Sequence, residues 1–76
     1  MPHVIVKLYP GRTEAQKTSL AEEIARALIE VANASEASIT VGIEDVRPED
    51  WNETVHKPDI LGKPDTLYKK PGADPR

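Results

Sequence analysis

The chain has 76 residues, enough for one small domain with a thin core. It holds no cysteine, which excludes disulfides, thiolate chemistry and Cys-type zinc sites. Its net charge of −3, from 10 Lys+Arg against 13 Asp+Glu, argues against a surface that tracks nucleic-acid phosphates.

Large side chains are also scarce: no Phe, one Trp and two Tyr. A single copy has little with which to fill an interior, so the composition predicts a homo-oligomer, most simply a dimer. No run approaches the roughly 20 apolar residues of a bilayer span, and no basic stretch followed by an apolar run opens the chain. The expectation is a cytoplasmic protein without membrane contact.

In chain order, His3 to Tyr9 alternates, with Val4, Val6 and Leu8 on one face and His3, Ile5, Lys7 and Tyr9 on the other, the pattern of a strand. Pro10-Gly11 breaks it. Thr13-Glu14-Ala15-Gln16 then has the Thr-x-x-Gln form of a capping box and predicts a helix running to about Asn33. Its apolar stripe reads Leu20, Ile24, Leu28 and Val31, widened by Ala21, Ala25 and Ala32. Ser38 to Val46 alternates again and predicts a second strand. Strand, helix, strand at this spacing is a βαβ unit with parallel strands, an α/β (α+β) fold over residues 2–46.

Residues 47–76 read as a short helix and a covering tail of the same domain. Pro48 with Glu49 and Asp50 suits a first helical turn, and the helix is expected to end before Pro58. Thr66 to Lys69 reads as a short strand or the end of a covering loop, and Pro71 to Arg76 as mobile. Two strands under one helix leave both sheet edges open. A second copy would complete a four-stranded sheet backed by two helices.

Five residues carry candidate chemistry. Pro2 becomes a free secondary amine if Met1 is removed, and an α-amino group titrates near ~7.7–8.0, within reach of proton transfer at neutral pH. The plainer reading is that Pro2 only begins an edge strand. Arg12, just past the first strand, is either a solvated charge or a fork for a carboxylate or enolate oxygen near the N-terminus of the same or a partner subunit. Trp51 is a core or interface residue, or the wall of an apolar pocket. Lys69-Lys70 reads as a solvated edge, with substrate attraction as the second reading. His3 and His56 are too few for a metal site, and none is expected.

Taken together, Pro2, the strand after it, Gly11-Arg12-Thr13-Glu14-Ala15-Gln16-Lys17, the long helix and a strand opening Ser38-Ile39 resemble the tautomerase superfamily, typified by 4-oxalocrotonate tautomerase. The tail, with Pro48-Glu49-x-Trp51 and Leu67-Tyr68-Lys69-Lys70-Pro71-Gly72, looks like the dimeric bacterial branch associated with phenylpyruvate tautomerisation. The resemblance implies a cofactor-independent isomerase in which Pro2 shuttles a proton between enol oxygen and carbon. Arg12 would bind substrate carboxylate or developing charge, and Trp51 would keep the pocket apolar. Thr40 stands where the best-known members carry a second arginine, which favours a small 2-oxo acid with one carboxylate over a diacid. Two alternatives stay open: a hydratase or dehalogenase in which protonated Pro2 positions a water, with Glu44 as the nearest further carboxylate, and a non-catalytic oligomer that binds a small ligand. Arg47 or Lys63 could replace the missing arginine from the tail.

Overall fold

The structure is a computed structural model in which residues 1–72 are described. The expected mobility of residues 71–76 lies, from 73 onward, outside the described residues. Strand β1, His3–Leu8, is followed by helix α1, Glu14–Ala32, strand β2, Thr40–Asp45, and the short helix α2, Pro48–Trp51. The strands pair in parallel from His3 opposite Thr40 to Leu8 opposite Asp45.

The capping box forms as the sequence requires. Gln16 N–H donates to Thr13 Oγ1 at 3.1 Å and Thr13 N–H donates to Gln16 Oε1 at 2.8 Å, satisfying donors at both ends of the first turn. Gly11 at φ 130° swings the chain from β1 into that cap, a conformation that suits glycine. At the far end Asn33 adopts the left-handed conformation at φ 57°, and Ala34 N–H returns to the Leu28 carbonyl at 3.2 Å.

Register fixes what each sheet face carries. Val4, Val6 and Leu8 share one face with Val41, Ile43 and Asp45; His3, Ile5 and Lys7 share the other with Thr40 and Glu44. Helix α1 covers the first face, held at its start by the ion pair Lys17 Nζ to Asp45 Oδ2 at 2.9 Å. Its inward positions are Ala21, Ile24, Ala25 and Leu28. Leu20 and Val31, expected in the stripe, are 37% and 84% exposed. Two strands about 4.8 Å apart make a floor too narrow to cover the flanks of the helix stripe.

The second difference lies after α2. The helix does not stop before Pro58 but widens into a π-helical segment, Asn52–Leu61, closed by Gly62 N–H donating to the Lys57 carbonyl at 2.8 Å. Bonding to the fifth residue back shifts the acceptor away from the carbonyl that a proline ring meets in an α-helix, so Pro58 forfeits one donor without ending the turn. The strand reading of Thr66 to Lys69 also fails: Pro64–Thr66 is a 3-10 turn and the rest is a covering loop. The π-helical segment is tied to the second sheet face by Lys7 Nζ, 2.7 Å from Asp59 Oδ2. That hydrogen bond, opposed by desolvation, raises the Lys7 pKa and lowers that of Asp59.

Burial is shallow. Among the described residues only Val46 and Val55 are buried, at 7% and 5% exposure, while Ile5, Ile29 and Leu61 stay substantially open. No described helix is long and apolar enough to cross a membrane.

Candidate active site

Of Pro2, Thr40, Arg12 and Trp51, the structure brings two to each end of the sheet. Pro2 and Thr40 lie at one end: Thr40 N–H donates to the Pro2 carbonyl at 3.2 Å, and Thr40 Oγ1 is 2.6 Å from His3 Nδ1. Pro2 there opens onto a shallow recess of about 620 Å³ shared with Met1, Asn33 and Ser35. Neither Arg12 nor Trp51 lines that recess. Met1 is fully exposed.

Arg12 and Trp51 lie at the other end. Arg12 Nη1 donates to the Tyr9 carbonyl at 3.2 Å. The Tyr9 ring meets Trp51 edge-on, centroids 5.0 Å apart at 85°, the arrangement the ring quadrupoles prefer. These two rings, with Ile60 and Leu67, wall a pocket of about 570 Å³ rimmed by Lys69 and Lys70. The volume is in the range that takes a small molecule. The loop residue Leu67 and the π-helical Ile60 reach the pocket because the helix continues past Pro58.

Seven steps of chain, built on strand β1, separate Pro2 from Tyr9, so the two ends stand roughly 20 Å apart at about 3.3 Å per residue. Arg12 and Pro2 of one chain therefore lie at opposite ends of β1 and line no recess in common. Glu44, the further carboxylate of the hydratase reading, stands opposite Lys7 in the register, well along β2 from Thr40. Arg47 is engaged by Glu49 at 3.7 Å and Asp50 at 3.3 Å, and Lys63 lies 3.8 Å from Asp59, so the tail cations at the pocket are neither of these.

Sequence reasoning missed Tyr9 as a pocket wall and gave Lys69 and Lys70 mainly to solvent. The available signal was position: Tyr9 immediately precedes the Pro-Gly break, where a strand residue overhangs the sheet end. Among the described residues no group of three or more His, Cys, Asp or Glu side chains converges as a metal would require.

Comparison with known proteins adds a family. A family model described as "Tautomerase enzyme" matches residues 2–55. A probable tautomerase of Xylella fastidiosa (strain 9a5c) is 38% identical over 72 residues, covering 95% of this chain and 88% of its own. Tautomerase PptA of Enterobacter sp. (strain 638) is 41% identical over 73 residues, covering 95% of this chain and 96% of its own. Among solved structures, a 4-oxalocrotonate tautomerase isozyme from Methylibium petroleiphilum superposes with a TM-score of 0.62 at 36% identity, over 66% of this chain and 81% of that one.

Proposed function

Since the chain belongs to the tautomerase family, we propose that this isomerase interconverts enol and keto forms of a small, phenylpyruvate-like 2-oxo acid with Pro2 as the proton-transferring group. The observation that carries the reading is the division of the candidate residues between the two ends of β1. Among the described residues no strand lies beside the outer edge of β1. Pairing that edge with the same edge of a second copy, about an axis normal to the sheet, runs the two strands antiparallel and keeps both helices on one side. Equivalent faces then meet, and the Pro2 end of one copy comes to the Arg12 and Trp51 end of the other. Two identical sites result, and with them the four-stranded sheet that a shallow single-chain core calls for.

The chemistry follows from the parts. With Met1 removed, the Pro2 nitrogen is a secondary amine. Apolar surroundings from the partner's pocket and a nearby guanidinium both disfavour its ammonium form. The neutral amine takes the enol O–H proton and, as the ammonium, returns a proton to the adjacent carbon, completing ketonisation with no net change in the enzyme. Arg12 stabilises the negative charge that gathers on the enolate oxygen. Aromatic walls and a single wet rim suit an aryl chain with one carboxylate. Thr40 brings no cation, so a second carboxylate near Pro2 would go unpaired.

The test is the ketonisation of phenylenolpyruvate, followed by ultraviolet absorbance on protein whose mass lacks Met1. The expected result is a rate well above buffer that disappears when the N-terminal amine is alkylated. A rate equal to buffer overturns the substrate reading, and a rate that survives alkylation overturns the role of Pro2.

A further inference from the structure

The cations of this chain are not evenly spent. Lys7 pairs with Asp59, Lys17 with Asp45, Arg26 with Glu23, Arg47 with Glu49 and Asp50, Lys57 with Glu53, and Lys63 with Asp59. Among the described residues, those without a carboxylate partner are Arg12, Lys69 and Lys70. All three gather at one end of the sheet: Arg12 on the Tyr9 carbonyl, and the two lysines on the rim of the pocket that Tyr9 and Trp51 wall. Among the described residues no carboxylate lines that pocket, although acids outnumber bases in the chain, and His56 adds a further basic side chain to its lining. A local excess of uncompensated positive charge around an apolar cavity is what an organic anion would recognise.

We propose that Lys69 and Lys70 are specificity-determining residues: their ammonium groups hold the carboxylate of an aryl-substituted monoacid whose ring lies against Tyr9 and Trp51. The assignment of that monoacid as substrate rests on the tautomerase reading; the binding itself does not. Two flexible ammonium groups at a wet rim tolerate a range of chain lengths between ring and carboxylate, which a rigid guanidinium fork would not. Because each lysine is exposed, the selectivity is modest and falls with salt.

Trp51 is the sole tryptophan and walls this pocket, so its fluorescence responds to a ligand bound there. The experiment titrates the full-length protein at low salt with 3-phenylpropionate, which cannot enolise to product, and with the uncharged 3-phenylpropanamide. The expected result is binding of the acid about three- to tenfold tighter than the amide. In the Lys69→Gln/Lys70→Gln double variant that preference should vanish while amide affinity holds. Lys57→Gln, which removes an ammonium engaged by Glu53, should leave the preference in place. Equal affinity for acid and amide in the parent protein overturns the proposal, as does a preference that survives the double variant. Absence of binding by either ligand also overturns it. None of these readouts requires turnover, so loss of tautomerase activity with intact acid binding would defeat the catalytic reading alone.

Discussion

Lys7 Nζ lies 2.7 Å from Asp59 Oδ2, a contact between residues 52 positions apart that fastens the π-helical segment to the sheet face opposite α1. The segment positions Ile60 and Leu67 follows it, so the pair helps hold two walls of the pocket. Asp59 has its pKa lowered chiefly by the hydrogen bond from Lys7. Its contribution to stability is complete above the ordinary carboxylate range near ~3.9 and is lost as pH falls through the lowered folded value. Lys7, raised chiefly by the same bond, contributes fully below the ordinary lysine range and loses that contribution as pH rises through its raised value. Asp59→Asn should therefore loosen the segment at neutral pH and flatten the acid limb. Trp51 fluorescence and amide exchange over residues 52–61, followed against pH, read both effects; identical acid limbs in parent and variant would remove the pair from this role.

Pro2→Ala leaves a primary amine in place of the ring nitrogen and removes the fixed geometry at the head of β1. In Met-free protein, kcat for enol ketonisation should fall by about 10²-fold or more. The parent's kcat/KM should rise with pH as the freed amine loses its proton. Full activity in the alanine variant would end the assignment of Pro2 as base.

Thr40 sits beside Pro2 through its N–H to the Pro2 carbonyl. Thr40→Arg places a cation at that end and should shift the ratio of kcat/KM for dicarboxylate over monocarboxylate enols upward by about tenfold. The same change breaks the 2.6 Å contact to His3 Nδ1, so thermal unfolding is measured alongside. An unchanged ratio in a folded variant would take the substrate argument away from Thr40.

The βαβ unit was legible because its signals are local. Alternation placed both strands to within two residues, and Thr13 with Gln16 marked the helix start where the capping bonds form. The run through Pro58 was not legible: proline counts as a helix breaker only when the bonding is to the fourth residue back. The site was half legible. Residue types pointed to Pro2, Arg12 and Trp51, but spacing along a chain says nothing about which end of a strand faces which. Hence Arg12, ten residues after Pro2, falls at the opposite end of β1 from it. Lys69 and Lys70 look like any exposed lysines until the other cations are seen to be paired.

That separation gives the sharpest prediction. Arg12→Ala alone should lower kcat/KM by about 10²-fold, with Arg12→Lys recovering part, since a point charge replaces a fork. If each site takes Pro2 from one copy and Arg12 from the other, Pro2→Ala and Arg12→Ala proteins are each inactive, yet a hybrid of the two holds one site with both residues intact. The hybrid's other site lacks both. Random reassortment makes about half the dimers hybrids, each with one working site of two, so the mixture should recover about a quarter of parental activity after the subunits exchange. Light scattering on each protein should give at least twice the mass of one chain, because a fold in which Val46 and Val55 are the only described residues buried has little core of its own. A site contained in one chain predicts no recovery at any mixing ratio. Mixed samples that exchange subunits and stay inactive would therefore exclude the shared site, and with it the two-fold pairing of β1.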